Sequence, residues 1–453
     1  MEFLENSVLP QSAHHLELLK YLVVLAFMLL IPYMSALLGT TLLSVLFNRK
    51  GNKSGNQFHV KFSKELIDIV TFNKSIAFAL GIVPFLSVIF SYAQLFHLTP
   101  TVILSGFIFS FILLIVALIL VYVYKHSFHL QDLFESLSSK SIKSKTTGDD
   151  IAPDAESYRS RTKKLYYKSG LWSAIFLLAS FYLLTASIGM TFESELWETE
   201  SFFGLLLSFH SILYFLFYVG FAFVFTSAVV LFYYYRFKRE DNSDTQYLSF
   251  VRSYSTYSGM IIIMVLPLLT VIGLFTSPAV ALSGNAVWFA LVSVILLLVI
   301  AVLFYTTLKE ESDRYVSLTV YLLIAFIGLS LFKDQFSFST ASAKQEKMLA
   351  SEYLNYQNKL KESMGIVLEK ISGADIYNGR CIACHQFDQK LVGPAYNDVL
   401  PKYEGKYADL VKFILNPVKV NPDFPPMPNQ GLKPKEAEAV ADYIVQVYKE
   451  KNQ

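Results

Sequence analysis

The residues with the clearest chemistry are Cys381, Cys384 and His385, in the sequence Cys-Ile-Ala-Cys-His. The two thiols lie about one helical turn apart, so both can form thioethers with the vinyl groups of one haem, and the adjacent imidazole then faces the iron. The alternatives are a zinc site or a dithiol redox pair. Zinc would need two further ligands at suitable spacing, and the chain has only these two cysteines. We therefore interpret the motif as the attachment site of one covalent haem c.

The sequence around this motif resembles the small class I mono-haem cytochromes c over residues 366–450. Gly373-Ala-Asp-Ile-Tyr377 matches that family's Gly-x-x-x-aromatic pattern, in which the glycine lets the first and last helices cross closely. Val392-Gly393-Pro394 matches the segment whose proline carbonyl, here that of Pro394, accepts a hydrogen bond from the proximal histidine. Ala437–Tyr448 carries an apolar stripe at helical spacing and matches the last packing helix.

The same resemblance implies a thioether as the second axial ligand, in a loop before the last helix. Met427, within Phe424-Pro-Pro-Met-Pro-Asn429, is the only methionine between the haem motif and the C-terminus. The neighbouring prolines restrict the backbone, so the sulfur can be presented with little loss of conformational entropy. The alternative is an ordinary packed methionine. With His385 and Met427 both on the iron, no position is open to a substrate, which predicts electron transfer without bond chemistry.

Composition indicates that most of the chain lies in lipid, because 54% of its 453 residues are hydrophobic and only 16% are charged. A net charge of +2 gives no indication of nucleic-acid binding. Apolar stretches long enough to cross a bilayer occur at about 18–47, 73–95, 100–124, 168–190, 203–235, 254–276, 285–307 and 315–333. We predict an all-α chain, in which a polytopic transmembrane bundle of about eight spans precedes a small all-α cytochrome c domain.

The predicted boundaries give a transmembrane domain at 1–337, a helical connector at 338–365 and the cytochrome c domain at 366–453. Residues 126–165 are rich in Ser, Lys and Asp and show no periodic apolar face. We predict that they form a mobile cytoplasmic loop.

The distribution of basic residues predicts the orientation in the membrane. Lys and Arg cluster after the first, third and fifth predicted spans, at Arg49, Lys50, Lys53, Lys61, Lys64, Lys140, Lys143, Lys145, Arg159, Arg161, Lys163, Lys164, Arg236, Lys238 and Arg239. The opposite connections, from Glu2 to Glu5 and from Glu193 to Glu200, are acidic or lack basic residues. We predict a bacterial inner-membrane protein with both termini and the cytochrome domain in the periplasm. Haem attachment to such a motif normally takes place on that side.

Three of the chain's eight histidines are candidates for a second haem, of the b type. His210 lies within the fifth predicted span, where an unpaired imidazole is costly and a haem iron would be a natural partner. The alternative is a hydrogen bond to a neighbouring helix. His14 and His15 precede the first span on the same predicted side, and either could equally be an ordinary interfacial histidine.

The membrane region is similar to the large subunit of cytochrome bd oxygen reductases at short motifs. These are the outer histidines near the first span, Phe78-Ala-Leu-Gly81, Phe209-His210, Tyr235-Arg236 and Phe250-Val-Arg-Ser253. The resemblance implies that His210 binds a low-spin haem b and that His14 or His15 binds an outer-side haem.

Three departures from that family put its activities in doubt here. Residues 100–124 contain no carboxylate, about Ser277–Asn285 stands in place of the long quinol loop, and the seventh predicted span has no methionine. Oxygen reduction and quinol oxidation by the family's route are therefore not expected. With almost no carboxylate expected inside the membrane, no proton path is apparent either.

Three functions stay open on the sequence alone. The first is a subunit of a respiratory or energy-conserving complex that relays electrons between a membrane redox centre and an outer partner, such as a soluble cytochrome or another redox subunit. The second is a bd-like terminal reductase fed through haem c. The third is a cofactor-free membrane anchor for a tethered carrier. The sequence leaves open whether the chain is itself an enzyme and whether the membrane part holds haem b or quinone. The expected partners include membrane lipid but no nucleic acid.

Overall fold

The computed structural model describes residues 10–141, 151–237, 245–310, 314–364 and 371–451. Within these ranges the chain forms helices and turns with no β-strand. It divides into two compact units, Met1–Asn355 and Tyr356–Gln453. The predicted all-α class is confirmed.

The helices of the first unit are α1 (Ala13–Ser54), α2 (Gln57–Thr71), α3 (Lys74–Leu95), α4 (Ile103–Ser141), α5 (Ile151–Met190), α6 (Phe202–Leu207), α7 (Phe209–Phe232), α8 (Thr245–Ile263), α9 (Leu266–Thr276), α10 (Gly284–Lys309) and α11 (Val316–Ala341). Helix α12 (Ala343–Ser363) runs across the boundary between the two units. The second unit also contains α13 (Gly373–Ile376), α14 (Tyr396–Val399), α15 (Tyr407–Leu415) and α16 (Pro434–Lys451).

Eight helical segments are long and apolar enough to cross a membrane, and each contains most of one predicted span. They are α1, α3, α4, α5, α7, the pair α8 and α9, α10, and α11. Two predicted spans are interrupted. Ser208 has an extended backbone and separates α6 from α7, while α8 and α9 are separated by a turn just before Pro267. The chain is thus a multi-pass membrane protein, as predicted.

The prediction of a loop over residues 126–165 is wrong for the part that the structure describes. Helix α4 continues to Ser141 and α5 begins at Ile151, so both helices extend into this segment. Aromatic side chains pair between them, with ring centroids 4.9 Å apart for Phe128 and Tyr166 and 6.1 Å apart for Phe134 and Tyr158. These pairs form an apolar contact between the two helices, which is not evident from the polar average composition of residues 126–165.

Some residues used in the orientation prediction lie outside the described ranges. They are Glu2 to Glu5, Lys143, Lys145, Lys238 and Arg239, and the side chain of Lys140 is likewise not described.

Helix α1 is the most buried span and packs against α2, α3, α5, α7 and α11. Small residues permit this close packing, as is usual between helices in lipid. At Gly39, for example, a Cβ atom would lie 2.9 Å from the Cβ of Thr226 on α7. Helix α7 is therefore held against the centre of the bundle.

The second unit encloses its own small core, which consists of Tyr377, Cys381, Phe387, Leu400, Leu410, Ile414, Ala437, Val440, Ala441 and Ile444. Helix α13 crosses α16 at Gly373, where a Cβ atom would lie 2.9 Å from the Cβ of Tyr443 and still closer to the carbonyl of Ala439. Only glycine allows this approach, which agrees with the role that the resemblance implies.

Candidate functional site

The haem motif begins where α13 continues into a π-helical turn, Tyr377–Cys381. The backbone N–H groups of Cys384 and His385 both donate to the carbonyl of Cys381, at 3.1 and 2.9 Å. This turn fixes the three side chains relative to one another. The two thiols are not joined to each other. Burial raises the pKa of the Cys381 thiol, and the nearby Cys384 adds to the effect.

The imidazole of His385 is held in one orientation. Its Nδ1 lies 3.0 Å from the carbonyl oxygen of Pro394, which requires Nδ1–H to donate and leaves the lone pair on Nε2. The ring packs directly on the backbone of Gly393, where a Cβ atom would lie 2.7 Å from Nδ1. Tyr396 stacks on the ring with a centroid distance of 5.3 Å. The segment that was matched to the cytochromes c therefore sets both the tautomer and the tilt of His385.

Met427 is half-buried in a loop that is tied to the haem motif. The guanidinium of Arg380, one residue before Cys381, donates to the carbonyl of Gln430 at 2.6 Å. Gly431, with a φ of +65°, ends the loop, and its N–H donates to the Asn429 side chain at 2.8 Å. The loop that carries the thioether is thus anchored to the turn that carries the thiols.

These residues fit a covalently attached haem. Two free thiols, one imidazole with an available nitrogen and one thioether belong to the same small unit. Glycine stands at the point where the imidazole approaches the backbone most closely.

His210 is the second residue of α7, whereas the fifth predicted span begins at residue 203. The difference arises because Ser208 interrupts the run and caps the new helix, its side chain accepting from the N–H of Ser211 at 3.2 Å. Nδ1 of His210 lies 2.6 Å from a carboxylate oxygen of Glu193. Nε2 is buried and makes no hydrogen bond of ordinary geometry among the described residues, although the imidazole also lies near the backbone carbonyl of Thr276.

The pairing of His210 with Glu193 was not predicted. The stretch from Glu193 to Glu200 had been interpreted only as an acidic outer connection, and no local pattern links it to α7. An imidazole that bonds a carboxylate through one nitrogen and keeps the other free is typical of a metal-ligating histidine. An ordinary buried ion pair would have the same geometry at Nδ1.

His14 and His15 lie exposed at the start of α1. Nε2 of His15 is 3.2 Å from the side-chain oxygen of Gln94. Within the described ranges, no hydrogen bond or ring contact joins either histidine to His210, and no group of three or more His, Cys, Asp or Glu residues could hold a metal ion.

The expectation of almost no carboxylate inside the membrane is corrected by Asp334. The eighth span was predicted to end at residue 333, but α11 continues to Ala341, and Asp334 is only 7% exposed. Its carboxylate accepts from the hydroxyls of Tyr214 at 3.0 Å and Tyr218 at 3.4 Å. Lys333 lies 2.7 Å away. His210, Tyr214 and Tyr218 recur every four residues on one face of α7, a pattern that could have revealed this polar stripe.

Comparison with known proteins shows what each part of the chain is similar to. Residues 371–447 match the cytochrome c family. Cytochrome c-551 of Pseudomonas denitrificans is 40% identical over 79 residues, which are 16% of this chain and 95% of that protein. Cytochrome c-552 of Nitrosomonas europaea is 37% identical over 70 residues, 14% of this chain and 67% of that protein.

The structure is also similar to that of the bd oxidase from Geobacillus thermodenitrificans, with 10% sequence identity over 72% of this chain and 86% of the other. The TM-score is 0.44.

The second unit contains the two thiols and the oriented imidazole, and it also contains residues 371–447, which match the cytochrome c family. Through this C-terminal domain the chain belongs to the cytochrome c family: it is a multi-pass membrane protein whose exposed domain binds one haem c covalently and transfers electrons.

Proposed function

We propose that this chain is a membrane-bound c-type cytochrome subunit of a respiratory or energy-conserving complex. It relays electrons between a periplasmic partner and a redox centre within the membrane. The observation that carries the proposal is a histidine held at Nδ1 by an oxygen atom, which occurs once in each unit. Both His385 and His210 have Nδ1 bonded to an oxygen, from Pro394 and Glu193 respectively, so that Nε2 is the nitrogen able to bind iron.

In the cytochrome domain, Cys381 and Cys384 would attach the haem, and His385 and Met427 would hold its iron. The haem supplies a one-electron couple, and a methionine opposite a histidine raises its potential. Pro394 holds the imidazole in the tautomer that can bind, and the Arg380 contact to Gln430 keeps the Met427 loop close to the motif. With both axial positions filled, the domain carries electrons only.

In the membrane domain, His210 binds a haem b. The Glu193 carboxylate makes this imidazole a stronger donor and fixes its ring. Ser208, which caps α7, sets the position of His210 at the end of the bundle. His14 and His15 are candidates for an outer-side haem, since both lie at the start of α1.

The cytochrome domain faces the periplasm in this proposal, and its electron partner is a soluble cytochrome or another redox subunit. The support comes from the preference of basic residues between spans for the cytoplasmic side. Described examples are Lys50 and Lys53 in the last turns of α1, and Lys61 and Lys64 in α2.

The decisive experiment measures haem by type in the purified full-length protein. We expect one c-type haem and at least one b-type haem per chain from reduced-minus-oxidised and pyridine haemochrome spectra. His210→Ala should lower the b content and leave haem c unchanged. His97→Ala, in the turn that follows α3, is the matched control and should change neither. A c-type band with no b-type band would eliminate the membrane haem.

A second candidate function is the cofactor-free anchor, because the ion pair between His210 and Glu193 would also satisfy a purely structural role. Unchanged haem content and normal assembly in His210→Ala would favour the anchor over the relay.

A further inference from the structure

A polar stripe crosses the interior of the membrane unit. Tyr214 and Tyr218 lie one and two turns along α7 from His210, on the same face of the helix. Both hydroxyls donate to Asp334 on α11. The ammonium of Lys333 lies 2.7 Å from the same carboxylate and 3.3 Å from the Tyr214 hydroxyl. The stripe therefore ends at the ion pair of Lys333 and Asp334, whose carboxylate accepts hydrogen bonds from two phenol hydroxyls.

A cavity of about 30 Å³ lies beside this ion pair, between α7, α9, α10 and α11. Its polar lining is Tyr214, Tyr218, Thr270, Ser293, Ser330, Lys333 and Asp334. The hydroxyl of Ser293, a residue only 2% exposed, has no hydrogen-bond partner among the described residues. A cavity of this size and polarity can hold one or two water molecules, and an unsatisfied hydroxyl in lipid calls for such a partner.

Burying this ion pair in the membrane is costly, and packed apolar residues would serve stability as well or better. Charged groups within spans most often mark a path for protons or substrates. The groups facing the carboxylate are compatible with proton exchange. They are Lys333 on its own helix, Tyr214 and Tyr218 on α7, and Tyr92 on α3. Lys20 of α1, which also packs on α11, contacts Glu346 and Ser339 instead.

We propose that Asp334 and the water of this cavity form a proton-exchange site coupled to the redox centre on His210. When one electron arrives at that centre, one proton from the bulk solvent passes through the cavity water to the carboxylate of Asp334, which becomes a carboxylic acid. Lys333 keeps its proton, and its positive charge, no longer balanced by Asp334, then compensates the added electron. The charge inside the membrane is the same before and after, and the steps reverse when the electron leaves.

The low dielectric constant around Asp334 is the physical reason why electron arrival and proton uptake would be coupled. An added negative charge within two helical turns raises the proton affinity of a carboxylate far more in lipid than in water. This inference rests on the proposed haem b. Its test distinguishes the failure of the proton-exchange site from the absence of haem b.

The test titrates the b-type and c-type haems of the full-length protein potentiometrically at several pH values. The midpoint potential of the b haem should fall as the pH rises, with a limit of about 59 mV per tenfold change in proton concentration for one proton per electron. Asp334→Asn should flatten this slope and leave the c haem unchanged. Glu65→Gln is the matched control, because Glu65 also accepts from two tyrosines, Tyr234 and Tyr247, but near the opposite end of α7.

A second measurement applies to the unmodified protein in case Asp334→Asn does not assemble. Dicyclohexylcarbodiimide reacts with protonated carboxyl groups in apolar surroundings, and mass spectrometry locates the adduct. We expect Asp334 to be modified several-fold faster in the reduced protein than in the oxidised protein.

The outcomes are distinct. A b haem whose potential does not change with pH, or whose slope is the same in Asp334→Asn, overturns the proton-exchange site and leaves the relay standing. Equal carbodiimide modification in the two redox states overturns the site as well. Absence of a b-type band overturns the membrane redox centre itself, together with the inference that rests on it.

Discussion

At the scale of single residues, the two histidines proposed as ligands differ in the oxygen that holds them. His385 donates to a neutral carbonyl, that of Pro394, whereas His210 is paired with the carboxylate of Glu193. A carboxylate draws the ring proton more strongly and makes the other nitrogen a better donor to iron. The two sites therefore present imidazoles of different strength from the same residue type.

Removing the sulfur of Met427 should open the sixth position of haem c. We expect Met427→Ala to retain covalent haem, to lower its potential and to bind CO in the reduced state, because no other methionine lies between the motif and the C-terminus. Absorbance spectra under CO provide the measurement. Met364→Ala, which removes an exposed methionine outside that interval, should give none of these changes. CO binding at haem c in the unmodified protein would contradict ligation by Met427.

Adding one methyl group at Gly393 should displace the His385 ring, since a Cβ atom there would lie 2.7 Å from Nδ1. We expect Gly393→Ala to reduce the haem c content per chain and to lower the thermal stability of the domain by about 1–3 kcal/mol, the usual cost of overpacking. Pyridine haemochrome analysis and the thermal change of the Soret circular dichroism test this. Gly379→Ala places its methyl group in open space and should be neutral.

At the scale of elements, the break at Ser208 decides where α7 begins and hence where His210 lies. The Ser208 hydroxyl accepts from the Ser211 N–H, and its loss leaves that donor unsatisfied.

We expect Ser208→Ala to destabilise the membrane unit by about 1 kcal/mol, the typical value of an N-cap. Ser208→Asn preserves a capping side chain and should behave like the unmodified protein. Thermal unfolding in detergent, followed by helical circular dichroism, compares the two variants. Equal losses in both would show that the side chain does not act as a cap.

The last helix of the cytochrome domain has an electrostatic contact that depends on pH. Lys451 on α16 hydrogen-bonds to Asp388 and thereby lowers the pKa of this carboxyl group, to which Asn397 also donates. A lowered folded-state pKa means that the contact stabilises the domain above the ordinary aspartate pKa of about 3.9, and that this stabilisation is lost as the pH falls through the folded-state value.

Asp388→Asn should therefore lower the Tm of the domain slightly and by a constant amount between about pH 6 and 8. The difference should shrink as the pH falls below about 4 and disappear once the pH is below the folded-state pKa. The Soret circular dichroism of the full-length protein is the measurement. Asp423→Asn, which removes an exposed aspartate with no ion pair in the described part of the domain, is the control. A difference that persists at low pH would mean that charge is not its cause.

At the scale of the whole molecule, the order of the membrane spans and of the two domains was easier to predict from the sequence than individual side-chain contacts. The eight spans were found because most side chains of a helix in lipid are apolar, and the cytochrome c domain was found because its motifs occur at family spacing.

The errors arose where a polar side chain is satisfied by a residue far away in the chain. The sequence around His210 contains no pattern that indicates its pairing with Glu193. Asp334 was left outside the eighth predicted span because the apolar run ends one residue before it. Hydrogen bonds from two tyrosines on another helix stabilise this buried carboxylate. The segment at 126–165 was predicted to be a loop because average composition conceals a few aromatic pairs such as Phe128 and Tyr166.

The orientation of the whole protein can be tested with a membrane-impermeant oxidant. Ferricyanide added to intact spheroplasts should oxidise haem c at once, because the proposed position of the domain is periplasmic. In inverted membrane vesicles the same haem should stay reduced until detergent is added. The reverse pattern would place the domain in the cytoplasm and overturn the proposed topology.

Both compact units belong to one polypeptide, and α12 crosses the boundary between them. An electron carrier that diffuses freely reaches its partner at a rate proportional to its concentration. A carrier attached to the membrane unit meets it instead at a fixed effective concentration, which a short tether holds in the millimolar range. Electron exchange between haem c and the proposed redox centre of the membrane unit would then be a first-order process, with a rate independent of how much of the protein the membrane contains.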